Sequence, residues 1–235
     1  MTRVNEFGQP IGGPVDGWQP RPAPTPRVLT GRYVCLEPVT AGHAPDLYDA
    51  LCGPEGAPLW TYRPEPVPVD LAELTSRLEA AASAPTVTFA IVPDGMAAQG
   101  LASLMRADPA QGSVEVGAII WSRRLQRTRA ATEALALLAG HVFDDLGYRR
   151  LEWKCDSLNE PSRVAAARLG FSYEGRFRQA MVYQGRNRDT DWFSIVDAEW
   201  PAVRAAYDAW LDPSNFDADG DQRRRLSTLT LPRSR

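Results

Sequence analysis

From Arg150 to Asp156 apolar and polar residues alternate: Leu151, Trp153 and Cys155 against Glu152, Lys154 and Asp156. A period of two is the signature of a strand buried on one face. Val87–Val92, Leu101–Arg106 and Ser113–Trp121 are apolar runs punctuated by Asp94-Gly95 and by the Pro109–Gly112 stretch. They read as three strands joined by tight turns, with a shorter strand over Arg32–Pro38 before them. Further strands are expected at Phe171–Arg176, Met181–Tyr183 and Trp192–Val196.

Helical spacing marks the rest. Leu71, Leu74 and Leu78 follow Asp70, and Glu73 three residues on completes a capping box. Leu135, Leu138, Val142 and Leu146 form one stripe that closes at Gly147. Thr40 is placed to cap a helix carrying Leu47, Tyr48 and Leu51, and Pro161–Leu169 reads as a helix closed by Gly170. Trp200, Val203, Tyr207 and Trp210 mark a last helix. This order predicts a mixed α/β sheet with one crossover after the third meander strand.

Residues 1–28 are rich in Pro and Gly, which excludes a helix or a central strand. Phe7, Ile11, Val15 and Trp18 are expected to anchor this segment along the domain surface. Residues 29–212 form the expected domain, and 213–235 a polar tail. At 235 residues the chain suits one domain with a full core. A formal net charge of -3 argues against general nucleic-acid binding and against attraction to anionic membranes. Cys35, Cys52 and Cys155 are too scattered for a disulfide framework or a zinc site, and His43 and His141 add no ligand spacing. The Asp217–Asp221 run has its glycine in the wrong place for a calcium loop, so no metal site is expected. No signal pattern or membrane-length apolar run is visible, and a cytoplasmic location is the expectation.

The most informative stretch is Leu125-Gln126-Arg127-Thr128-Arg129-Ala130-Ala131. It opens the Leu135 helix where the Ser113–Trp121 strand stops. A helix start carries unpaired N–H donors and partial positive charge, and two arginines reinforce both. The chemistry predicts a phosphate-bearing cofactor.

Strand, Gln126-x-x-x-x-Ala131 turn, helix, strand, Asn159-x-x-Ser162 and Arg168-Leu169-Gly170-Phe171 follow one another at separations that resemble the GNAT superfamily of acyl-CoA N-acyltransferases. The chain is most similar to the branch containing the ribosomal-protein alanine N-acetyltransferases, over roughly 29–196. The resemblance implies a mostly antiparallel sheet with one splayed parallel pair, Ser113–Trp121 and Arg150–Cys155, flanked by helices. It implies acetyl-CoA (coenzyme A) as acyl donor. Its diphosphate would rest on the N–H groups of Gln126, Arg127, Thr128, Arg129, Ala130 and Ala131. Its pantetheine arm would pair with Ile119, Ile120 and Trp121 in the manner of an added strand. Asn159 would touch that arm, and Ser162 would lie near the sulfur as proton donor to the leaving thiolate. The family has a central glycine where Arg129 stands; a helical backbone there would accommodate the arginine and place its charge beside the phosphates.

Transfer to an amine needs a base, and Glu115 is the candidate, on a strand face read as shared with Gly117, Ile119 and Trp121. A solvated strand carboxylate is the other reading of Glu115, and helix capping by Asn159 the other reading of the N-x-x-S motif. Trp60, Tyr62, Arg176 and Arg178 are candidates for the acceptor groove. The acceptor is a small-molecule amine or a protein N-terminus, and a homodimer through aromatics of the last helix is consistent with the family. Two alternatives stay open: another donor such as succinyl-CoA, met by Arg176 or Arg178, and a non-catalytic CoA-binding module signalled by Arg129.

Overall fold

The computed structural model describes residues 3–230. A small hairpin of β1 (Arg3–Val4) and β2 (Pro10–Ile11) comes first. There follow β3 (Leu29–Thr30), β4 (Val34–Pro38), α1 (Ala44–Leu51), α2 (Leu71–Ala82), β5 (Val87–Pro93), β6 (Gly100–Asp108) and β7 (Ser113–Trp121). The second half holds α3 (Arg129–Gly140), β8 (Arg150–Asp156), α4 (Glu160–Arg168), β9 (Ser172–Tyr183), β10 (Arg186–Val196), α5 (Trp200–Leu211) and α6 (Leu226–Thr230). Eight strands form one sheet in the order β3-β4-β5-β6-β7-β8-β10-β9. β7 and β8 run parallel across the α3 crossover, and the other neighbours are antiparallel. The mixed, mostly antiparallel sheet expected from the sequence is present.

Alternation within the strands divides the apolar residues between two layers. Leu36, Phe89, Ala102 and Val116 pack with α3 and α5, whereas Ala90 and Ile120 pack with Leu47, Leu51, Leu74 and Leu78 of α1 and α2. The Asp70 cap forms as predicted, Asp70 Oδ1 accepting the Glu73 N–H at 2.8 Å, but the return bond of the box is displaced by one residue, Glu73 Oε2 accepting the Val69 N–H at 2.8 Å. On α3, the buried Glu133 carboxylate accepts the N–H groups of Arg32 at 2.9 Å and Tyr33 at 2.6 Å, tying β4 to the crossover helix.

Several expectations are corrected. Phe7, Ile11 and Val15 are exposed; of the four, Trp18 anchors the N-terminal segment, its Nε1 donating to the Ala110 carbonyl at 2.9 Å, and the Arg21 N–H adds a bond to the Pro109 carbonyl at 2.9 Å. The strands read at Phe171–Arg176 and Met181–Tyr183 are one strand, β9, and its partner β10 begins at Arg186 rather than Trp192. Gln179 takes a φ of 51° and its N–H bonds to Asp189 at 2.8 Å, so pairing resumes beyond the irregularity. The described part of the polar tail folds back. Leu226 is fully buried, and the buried Asn215 amide donates to the carbonyls of Trp210 at 3.0 Å and Arg224 at 3.2 Å. Trp200, Tyr207 and Trp210 are buried in the main core, so the aromatics of α5 offer no dimer surface.

Candidate active site

β7 and β8 pair only over Ser113–Arg150, Val114–Leu151 and Glu115–Glu152. Beyond that point the strands part. The cause lies on the other edge of β7, where Gly117 pairs with Ser103 and Ile120 with Leu101, leaving Ala118 and Ile119 opposite the single Ala102. This is a β-bulge, with Ala118 at a φ of 51°, and a bulge bends its strand and turns it away from a neighbour. One extra residue also reverses the side-chain alternation. Glu115 therefore does not share a face with Ile119 and Trp121, as simple alternation predicts. Ile119 and Trp121 pack toward α3, and Ile120 joins the α1–α2 layer.

The wedge between the strands is a cavity of about 480 Å³ lined by Val116–Ile119 of β7 and Trp153–Asp156 of β8. Phe177, Arg188 and Trp192 of the last hairpin and Tyr62 of the loop before α2 complete its walls. Glu115 is buried on its floor and bonds Arg106 Nη1 at 2.7 Å and Lys154 Nζ at 3.0 Å. Lys154 also meets Glu152 at 2.8 Å and lies 3.6 Å from the centroid of the Trp192 ring. Gly117 makes room for this cluster, since a Cβ there would sit 2.7 Å from both Glu115 Oε1 and Met105 Sδ. Glu115 thus reaches the cleft, with both its neighbours there cationic.

Asn159 caps α4 through Oδ1, which accepts the Ser162 N–H at 3.2 Å. Ser162 Oγ accepts from Trp153 Nε1 at 3.0 Å, and both Asn159 and Ser162 line the cleft. Cys155 lies beside Ser162, and burial pushes its thiol up to about 11.

At the far end of β7 the basic turn is built as a helix start. Thr128 caps α3 by accepting the Ala131 N–H at 3.1 Å, and the N–H groups of Gln126 and Thr128 bond to Ser122 and Leu125 carbonyls. The N–H groups of Arg127, Arg129 and Ala130 have no partner among the described residues. Positive φ falls at Arg127, at 64°, while Arg129 is the first helical residue and needs no glycine. Its guanidinium lies 4.1 Å from the Phe216 ring centroid and 5.5 Å from that of Tyr33, and it pairs with no carboxylate among the described residues.

The acceptor candidates divide. Tyr62 lines the cleft and its hydroxyl donates to the Leu158 carbonyl at 3.1 Å. Trp60 is withdrawn: it is buried in the α1–α2 layer, its Nε1 donating to the Leu51 carbonyl at 2.8 Å. Arg176 is committed to the fully buried Asp191 through two bonds of 2.6 and 3.0 Å. Arg178 lies in a separate depression with Gln179, Asn187 and Asp189. Neither arginine lines the cleft, because the long β9–β10 ladder places them elsewhere. Sequence reading missed Arg106, Lys154, Asp156, Arg188 and Trp192 as cleft residues. The alternation of β8 held a signal for two of them, as Lys154 and Asp156 stand on the polar face opposite Leu151 and Trp153.

Residues 34–172 match the family model described as Acetyltransferase (GNAT) domain. The chain belongs to the GNAT acetyltransferase family. A GCN5-related N-acetyltransferase from Brucella melitensis is 44% identical, with a TM-score of 0.89 over 92% of this chain and 99% of that one. A structure from Chromobacterium violaceum, described as a probable acetyltransferase of the GNAT family, is 36% identical with a TM-score of 0.76 over 83% of this chain and 98% of its own. The Bacillus subtilis protein YdaF, whose name proposes a ribosomal N-acetyltransferase, is 28% identical over 43% of this chain. The chain spans only 55% of the length of YdaF.

Proposed function

We propose that this GNAT-family protein moves an acetyl group from acetyl-CoA to a primary amine by direct attack. The observation that carries this reading is the wedge between β7 and β8, with an unpaired strand edge along one wall and a helix start at its end. The residues fit the donor: three N–H groups without a partner among the described residues and a carboxylate-free arginine suit a diphosphate, and the edge of β7 at Ile119–Trp121, where the Trp121 carbonyl accepts from Gln126 Nε2 at 2.9 Å, suits an amide-bearing arm. Bound acetyl-CoA supplies the thioester carbonyl that the amine attacks. Asn159 and Ser162 bound the inner end of the cleft, where the Ser162 hydroxyl can give its proton to a departing sulfur. Backbone N–H groups at the Ala118–Ile119 bulge are the donors placed to meet a developing oxyanion.

Direct attack is favoured over an acyl-enzyme route by Cys155. With its thiol pushed up to about 11 it stays protonated near neutrality, and the thiol rather than the thiolate is a poor nucleophile. Arg176 and Arg178, the two arginines expected to meet a larger anionic acyl group, lie outside the cleft. The name of YdaF supports a ribosomal acceptor. Thermal-shift titration with acetyl-CoA tests the donor, because a ligand of the native state must raise stability; no shift at millimolar acetyl-CoA refutes it. Mass spectrometry of a mixture of ribosomal proteins and small amines tests the acceptor.

A further inference from the structure

Three carboxylates line the cleft: Glu65, Glu115 and Asp156. Glu65 is paired with Arg63 at 3.3 Å, and Glu115 with Arg106 and Lys154. Asp156 is paired with no cation among the described residues, although it is only 4% exposed. Its oxygens are aimed by two donors, the Tyr183 hydroxyl at 2.7 Å to Oδ2 and the Leu158 N–H at 2.8 Å to Oδ1. A carboxylate accepts about four hydrogen bonds, so roughly two sites have no donor among the described residues, and Asp156 lines the cleft. Arg188, a cationic wall residue from the hairpin, spends its Nε on the Thr190 hydroxyl at 3.1 Å. A buried carboxylate with no cation of its own is costly unless a cationic ligand completes it.

We propose that Asp156, aimed by Tyr183, seats the ammonium group of the acceptor and takes the proton that frees it for attack. The inference rests on the acetyl-transfer reading above and moves the base from Glu115 to Asp156. Glu115 would have to break an ion pair to accept a proton; Asp156 loses none. One N–H proton passes to the Asp156 carboxylate and later to solvent. The freed amine forms the new C–N bond at the thioester carbonyl, the C–S bond breaks, and a second nitrogen proton ends on the sulfur by way of Ser162. Tyr183 acts as a positioning residue. Burial first, and then its bond to Asp156, push its hydroxyl up to about 12, so it remains the donor throughout the working range.

The test uses the full chain and Asp156→Asn. Amine kcat/KM is expected to fall at least ~100-fold, the scale of a lost general base, with the acetyl-CoA dissociation constant unchanged by calorimetry. The acid limb of the pH–rate profile should vanish with it; Glu65, Glu115, Arg63, Arg106, Lys154 and Arg188 share the cleft and stay in place in the variant. Independently of turnover, wild type should bind butylammonium in preference to butanol, read by fluorescence of Trp153 and Trp192, and the variant should lose that preference. Tyr183→Phe should lower kcat about tenfold and shift the acid limb without abolishing it. Activity of Asp156→Asn within threefold of wild type, an acid limb that survives, or an equal loss of acetyl-CoA binding overturns the proposal. A wild-type protein that neither binds acetyl-CoA nor acetylates any amine overturns the acetyl-transfer reading instead.

Discussion

Trp153 Nε1 donates to Ser162 Oγ at 3.0 Å, so the serine oxygen is held from the neighbouring strand. The hydroxyl is thereby oriented, with the Cys155 thiol beside it. Since the indole ring of Trp153 also packs edge-on against Phe171, 5.6 Å away, the orientation is fixed by the core rather than by a mobile loop.

Replacement of Ser162 by Ala is expected to lower kcat by roughly 10- to 100-fold, with little change in acetyl-CoA affinity. Stability should fall by about 1–3 kcal/mol as well, because the Trp153 N–H is left without a partner. Steady-state kinetics, calorimetry and denaturant melts separate the two effects.

Gly117→Ala places a methyl group 2.7 Å from both Glu115 Oε1 and Met105 Sδ. The carboxylate and the Met105 thioether must then shift, which strains the pairing of Glu115 Oε2 with Arg106 and Lys154. Overpacking of this kind costs about 1–3 kcal/mol, and the melting temperature should drop accordingly. An unchanged melting temperature would show that the cluster is slack.

Arg129→Ala removes a guanidinium stacked on Phe216 while leaving a good helix former at the first position of α3. The acetyl-CoA dissociation constant should rise about tenfold, equivalent to ~1.4 kcal/mol. If affinity is unaltered, the arginine is a packing residue of the C-terminal segment and not part of the diphosphate site.

Acid should weaken the Arg150 cluster. The Arg150 guanidinium bonds Glu174 Oε1 at 2.7 Å, and together with Ser194 it holds that carboxyl below its ordinary 4.5. Glu152 is also lowered: burial pushes it up, but bonds from Lys154 and Arg150 outweigh that. A depressed folded-state value means stability is fully present above the unfolded value of 4.5 and is lost as pH falls through the lower folded one. Denaturant midpoints should therefore decline from about pH 4.5 downward, and the decline should be shallower in Glu174→Gln.

Cys155→Ala should keep near-full turnover, since a thiol raised to about 11 carries no acyl group at neutral pH. Accumulation of an acetylated Cys155 in intact-mass spectra would reverse that expectation.

The hydrophobic pattern along the chain was enough for helices α1–α5, the meander, the crossover and the helix start after β7, because each depends on periodicity and capping within a few residues, but not for α6 in the segment read as a polar tail. The family resemblance carried by the turn and the N-x-x-S motif, rather than periodicity, implied Asn159 and Ser162 beside the cleft and a helical position for Arg129. Tertiary structure decided the rest. The bulge at Ala118 reversed the faces of Ile119 and Trp121, since pairing with β6 and not the local sequence absorbs the extra residue. Burial took Trp60 into the core, and the long β9–β10 ladder carried Arg176 to Asp191. Most of all, which carboxylates acquire cations depends on side chains from separate strands: Glu115 meets Lys154 across the splay, while among the described residues the Asp156 carboxylate meets Tyr183 and a backbone N–H and no cation. Such pairings form between residues distant along the chain, and no local spacing encodes them.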